Sequence, residues 1–312
     1  MKLALFSCAI LAASLCQASP RIDNVLIRMV PPGTDGLVGA HMDQIIASPL
    51  YQKLVAQQKL PQLDQFARET GFDPRRDVRE ILSAATDNGT VLLARGIFHV
   101  KDEPIEGLKL VRHGEYNIHV IEQSGFCILD STLAVAGQIP AVEAALDEWK
   151  ANGSHHAADQ LLKGVGSLNP QTPLWGVSTG FAQFLAQNLP GAGNNGIDFR
   201  SIFKGIQSTW FSAELSTGFD GGIHCTTANE KDAMNLRDAA KGLIGLGRLS
   251  VPENRPELLK FWDGFNVEQS GRSFALNIDV SVDLIDQMVQ MLSAPSGRGS
   301  GGRGASGSRS RI

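Results

Sequence analysis

Leu174-Trp175-Gly176-Val177-Ser178-Thr179-Gly180 supports two readings that lead to different folds. Gly176-Val177-Ser178-Thr179-Gly180 fits a nucleophile elbow, where a sharp strand-to-helix turn lifts a serine hydroxyl above a parallel sheet. The other reading is a plain strand leading into a helix. It has a counterpart in Leu37-Val38-Gly39, which also opens a strand ahead of a helix. The flanking sequence decides between the two.

Moving outward, strands come in pairs joined by short turns. Ile81 to Thr86 and Thr90 to Val100 flank Asn88-Gly89, a dipeptide suited to the left-handed angles of a tight hairpin. Tyr116 to Glu122 and Phe126 to Ala136 flank Ser124-Gly125. Ile206 to Leu215 pairs with Gly222 to Thr227 around Gly218 and Asp220-Gly221, and Asn266 to Gln269 pairs with Ser273 to Val280. Between the pairs, 3.6-residue apolar spacing predicts helices from Ser48-Pro49, over Pro61 to Thr70, after Pro140, over Phe181 to Leu189, after Asn229 and after Ser281. Short turns imply antiparallel pairing, so the fold class is α+β. Glu122-Gln123-Ser124-Gly125 recurs as Glu268-Gln269-Ser270-Gly271, a second anchor beside the first. The two anchors predict a duplication. Residues 19–157 and 158–292 are expected to be similar repeats, each a mostly antiparallel sheet with helices packed on one face.

Thr70-Gly71-Phe72-Asp73-Pro74-Arg75-Arg76-Asp77-Val78, followed by Ala94-Arg95-Gly96-Ile97-Phe98, resembles a pattern found in exported proteins of Gram-negative bacteria whose function is unknown. The resemblance implies an exported, duplicated α+β protein and carries no catalytic residue. Its own residues have a structural account: Gly71 ends a helix, and Asp73-Pro74 starts another turn.

Lys2, the apolar run from Leu3 to Leu15 and the small residues Cys16 and Ala18 make residues 1–18 a signal peptide, with Ser19 the first mature residue. No later run reaches the 18 or so apolar residues of a spanning helix. Residues 293–312 are Gly, Ser and Arg with almost nothing apolar, which predicts a disordered tail. Its Arg298, Arg303, Arg309 and Arg311 could touch an anionic surface. Without the leader and tail the chain carries a net charge of −9. That excess argues against nucleic-acid binding by the folded part. Two cysteines remain, Cys127 and Cys225. They read as buried hydrophobes, with a bridge between them as the alternative.

Catalytic chemistry at Ser178 needs a histidine base and an orienting carboxylate. His224 with Asp220 or Asp198 would give the Ser, Asp, His order, but antiparallel hairpins are not the scaffold of that fold, and the repeat places His41 where Ser178 stands. His155-His156 with Asp159, and His224-Cys225, lack the third and fourth ligands of a metal site. The carboxylate pairs Asp130 with Glu122 and Asp283 with Asp286 sit on faces expected to be solvated. Gly191 to Gly196 follows a helix and reads as a loop rather than a phosphate cradle. Asn88-Gly89-Thr90 and Asn152-Gly153-Ser154 match glycosylation sequons that are also turns. No cofactor is implied. The expected function is an exported, non-catalytic binding or envelope-structural protein, with a serine hydrolase at Ser178, Asp220 and His224 as the alternative. Its partner would be a protein or an apolar small molecule. The latter would need a cavity lined by residues such as Leu92, Phe98, Phe211 and Leu215, where the halves meet.

Overall fold

Side-chain alternation along the strands sorts this molecule into layers. The structure, a computed structural model, describes residues 23–54, 64–65, 67–68, 73–98, 108–163, 172–182 and 202–293. In chain order the elements are α1 (Asn24–Arg28), β1 (Gly36–His41), α2 (Met42–Ala47), α3 (Pro49–Leu54), α4 (Pro74–Asp77), β2 (Val78–Thr86), β3 (Gly89–Gly96), β4 (Lys109–His113), β5 (Tyr116–Ile121), β6 (Ser124–Asp130), β7 (Leu133–Gln138), α5 (Ile139–Lys150) and α6 (Ala157–Lys163). The second half adds β8 (Leu174–Ser178), β9 (Ile206–Glu214), β10 (Gly218–Thr227), α7 (Glu230–Leu249), α8 (Leu259–Asp263), β11 (Phe265–Ser270), β12 (Ser273–Ser281) and α9 (Val282–Ser293).

The twelve strands of the described residues join one antiparallel sheet, in the order β11-β12-β10-β9-β8-β1-β2-β3-β7-β6-β5-β4. The halves meet at β1 and β8, with Val38 opposite Gly176 and Gly39 opposite Trp175. Residues directly opposite in an antiparallel pair point to the same face, so faces can be followed across the sheet. Leu37, Val177, Trp210, His224 and Ala275 form one row. Gly36, Ser178, Thr209, Cys225 and Phe274 form the adjacent row, on the other face.

The two cores lie on opposite faces. In the first half Leu37, Leu82, Val91, Leu93, Leu133 and Val135 are buried with Leu26 of α1, Val142 and Leu146 of α5 and Leu161 of α6. In the second half Cys225 and Phe274 are buried on the far face with Leu236 of α7, and Val267 and Leu276 pack against them. β12 shows why. Phe274, Leu276, Ile278 and Val280 alternate with Ala275, Asn277 and Asp279, so only one face can be covered without stranding polar groups. β3 is less restrictive, because Leu92 and Ala94 are as apolar as Val91 and Leu93.

The seam is closed by aromatic rings lying on glycines. A Cβ on Gly39 would overlap the Trp175 indole, and a Cβ on Gly176 would overlap the Phe211 ring. Trp175 is 1% exposed.

Sequence-marked caps hold. Asp73 caps α4, its carboxylate accepting the Arg75 amide at 3.0 Å, and Asn229 caps α7 through the Asp232 amide at 3.0 Å. Ser48 Oγ accepts the Tyr51 amide at 3.1 Å. The helices expected over 61–70 and Phe181 to Leu189 fall mostly outside the described residues, as do Gly71, the leader and the tail.

Several expectations need correction. The expected strand from Phe126 to Ala136 is two strands, β6 and β7, because the Asp130 carboxylate takes the Thr132 amide at 2.6 Å and turns the chain. The turn after β9 comes before Gly218, so Asp220-Gly221 lies inside β10. Glu122 to Gly125 joins β5 to β6, whereas Glu268 to Gly271 joins β11 to β12. Counted outward from the seam these turns are not equivalent, since β12 neighbours β10 as β7 neighbours β3. Helices on one face of each repeat were expected, and a rotation exchanging β1 and β8 would carry one helical layer onto the same face as the other. The layers occupy opposite faces, so the two halves do not superpose by such a rotation.

The seam generates a paired test. Gly39→Ala removes the strain-free contact with Trp175, and overpacking of this kind costs about 1–3 kcal/mol. That exceeds the roughly 0.5–1 kcal/mol that alanine gains over glycine within a strand. Gly36→Ala, whose new Cβ would meet Ser178 Oγ at an ordinary 3.4 Å, keeps the gain without the clash. Urea denaturation is expected to show loss of stability for the first and none for the second.

Candidate functional site

The seam also creates a cavity. On the face carrying Gly36 and Ser178, the adjoining ends of β1, β2, β3 and β8 and the middles of β9 and β10 line a cavity of about 730 Å³. This lies within the range of small-molecule sites. Val38, Ala85, Phe181, Phe211 and Ile223 supply apolar walls, and Ser83, Thr90, Ser178 and Thr209 supply hydroxyls. Among the described residues the charged groups of the lining are Asp35 and Asp87. Of the residues expected to line a cavity, Phe211 does so. Leu92, Phe98 and Leu215 do not: Leu92 is exposed, while Phe98 and Leu215 are buried elsewhere.

Asp35 is the hub of the mouth. Its amide donates to the Ala85 carbonyl at 3.0 Å. Its own carbonyl accepts the Thr179 amide at 2.8 Å and the Ser178 hydroxyl at 3.0 Å. Asp35 thereby ties the end of β2 to the exit of β8. Its carboxylate sits so close to Gly180 that any side chain there would collide with it. Burial pushes the Asp35 carboxyl above the usual carboxylate range, the Asp87 charge adds to the rise, and a backbone hydrogen bond opposes it.

These contacts explain the glycine–serine motif without catalysis. Gly176 admits the Phe211 ring, and Gly180 admits the Asp35 carboxylate. Ser178 Oγ donates to Asp35 and accepts the Gly180 amide at 3.0 Å.

The proposed triad is not assembled. Ser178 points to the cavity face, while His224 and Asp220, which share the parity of the Trp210 row, point to the opposite face. The His224 ring stacks on Trp210, with centroids 3.7 Å apart and an interplanar angle of 7°. Burial holds its pKa below the usual imidazole value, against a smaller upward pull from Glu268. Asp198 lies outside the described residues. His41, which the repeat aligns with Ser178, is buried at the end of β1.

The remaining candidates are dispersed. His155 Nδ1 contacts the buried Glu148, and His156 lies 3.7 Å from Asp159. Among the described residues no three His, Cys, Asp or Glu side chains converge as metal ligands. Asp283 and Asp286 both reach Lys53, at 2.9 and 3.2 Å, so that pair is an ion-pair clasp between α3 and α9. Asp130 serves its own turn, and Glu122 stands at φ 55° in another. Cys127 and Cys225 are free and buried in the two different cores. Desolvation pushes the Cys127 thiol up to about 11. No helix of the described residues is long and apolar enough to cross a membrane.

Nothing in the sequence singles out Asp35 or Asp87, which stand just before β1 and in the turn between β2 and β3. Their convergence depends on the pairing of β1 with β2, which sequence spacing does not specify.

Asp35 makes a stability prediction with a defined sign. A carboxylate whose folded pKa lies above its unfolded value destabilises the fold when ionised, and the penalty is relieved as pH falls toward the unfolded value. Asp35→Asn is therefore expected to raise the melting temperature near about pH 7. The gain should shrink toward zero as pH falls below the carboxylate range. Melting followed by circular dichroism across that range reads the difference. A variant less stable than wild type at neutral pH would contradict the assignment.

No family model matches the chain, and no curated protein matches it. Solved structures of TP0453 are similar in fold. Crystal form III gives a TM-score of 0.50 at 7% identity, covering 85% of this chain and 97% of that one. Crystal form I gives 0.47 at 8% identity over 88% and 98%, and form IV gives 0.46 at 7% identity over 84% and 95%. At these identities the likeness concerns the fold alone.

Proposed function

We propose that the protein is exported and works as a non-catalytic binding module that takes a small apolar ligand in the seam cavity. The observation that carries this reading is the cavity itself: about 730 Å³, walled by Val38, Ala85, Phe181, Phe211 and Ile223 where the two halves join. An envelope-structural module would instead fill this space and rely on a surface contact. Support for a non-catalytic role comes from the separation of Ser178 from His224 across the sheet, and from the structural duties of all three fixed residues of the glycine–serine motif. Support for export comes from residues 1–18, whose charged start, apolar run and small residues suit signal cleavage before Ser19. The arginines at 298, 303, 309 and 311 would then keep an acidic protein near an anionic envelope surface.

N-phenyl-1-naphthylamine, a neutral apolar dye that brightens when desolvated, tests the site. Wild-type protein is expected to bind it with saturable fluorescence. Ala85→Phe and Val38→Trp, which fill the cavity from two strands, should weaken binding about tenfold, or ~1.4 kcal/mol. Unchanged dye affinity in both folded variants would reject the cavity as the ligand site.

A further inference from the structure

Among the described residues the cavity lining contains no Lys, Arg or His, and its two charged groups are both acids. Among the described residues neither makes an ion pair, whereas Asp73, Asp77, Asp263 and Asp283 elsewhere in the molecule each hold an arginine or lysine within 3.0 Å. The Asp35 backbone is fixed by hydrogen bonds to two strands, and Gly180 leaves room for its carboxylate. Asp87 is exposed at the turn between β2 and β3, on the same mouth. Two like charges with no cationic partner among the described residues thus border a largely apolar chamber. Free protein carries their repulsion, and a cation placed between them would remove it.

We infer that the ligand is a cationic amphiphile: an apolar chain that fills the chamber, bearing an ammonium group received by Asp35 and Asp87. This rests on the seam-cavity reading above. Burial raises the Asp35 carboxyl most and the Asp87 charge adds to the rise, which agrees with two acids facing one mouth. The net negative body would also draw cations toward the mouth. The motif around Ser178 gains a role in this arrangement, because Ser178 and Thr179 hold the Asp35 carbonyl while Gly180 accommodates its carboxylate.

Three single-chain probes of equal length separate the ideas: decylammonium, 1-decanol and decanoate, titrated calorimetrically into the full mature chain. Decylammonium is expected to bind about tenfold more tightly than 1-decanol, and decanoate more weakly than both. In D35N/D87N the ratio of decylammonium to decanol affinity should fall to about one. Gly180→Ala retains both charges but displaces the Asp35 carboxylate, and should reduce the ratio as well. Salt gives an arm that needs no variant, since the preference should shrink with rising ionic strength. Equal binding of decylammonium and decanol by wild type, tighter binding of decanoate, or a preference that survives D35N/D87N or is indifferent to salt would each overturn the inference while leaving the apolar cavity standing. Failure of all three probes to bind wild type would sink the cavity reading itself.

Discussion

Two rings resting on two glycines hold this architecture together. Trp175 of β8 lies across Gly39 of β1, and Phe211 of β9 lies across Gly176 of β8. The first contact is on the face that buries the N-terminal core, and the second is on the face that buries the C-terminal core. Each glycine removes a side chain where the neighbouring strand brings a large one. Large aromatics dominate the energetics of such contacts, and truncating one typically costs about 3–5 kcal/mol. The seam is therefore a stable join between halves whose helices sit on opposite sides of one sheet.

That arrangement has a consequence at the crossover. The helical layer of the first half ends on one face, and the layer of the second half begins on the other. Along the seam the cavity face of β1 and β2 is left with small or short side chains: Gly36, Val38, Ser83 and Ala85. Phe211 and Ile223 of the second half wall the opposite side. The cavity is thus a product of the sheet's change of covered face. The same seam brings Asp35 from the start of β1 beside the exit of β8, giving the mouth its acidic character.

Much of this was legible in the sequence where local chemistry governs. Asn88-Gly89 marked a hairpin, Asp73, Asn229 and Ser48 marked helix starts, and Asn266 to Gln269 with Ser273 to Val280 marked another hairpin. The antiparallel α+β class followed from those signals. What failed was non-local. The Asp130 turn was hidden inside an apolar run, because a single carboxylate-to-amide bond can reverse a chain without glycine or proline. The repeated Glu-Gln-Ser-Gly suggested equivalent turns, yet a four-residue identity carries no information about strand order. The site was half visible. Gly176 to Gly180 was marked as a motif, but sequence spacing cannot say that Ser178 and His224 face opposite sides of the sheet. Leu37-Val38-Gly39 and Leu174-Trp175-Gly176 were read as anchors of a duplication, and nothing in them said that their two strands pair. Their meaning, glycine making room for an aromatic, required the register.

The central claim is that an exported chain carries a small amphiphile in the seam cavity. Native mass spectrometry of the protein released from its own host's envelope tests it most directly. The expected spectrum shows a chain beginning at Ser19 with a non-covalently bound small molecule, lost on gentle activation. A chain that retains residues 1–18, or one that is mature but carries nothing in the cavity when isolated without detergent, would contradict it.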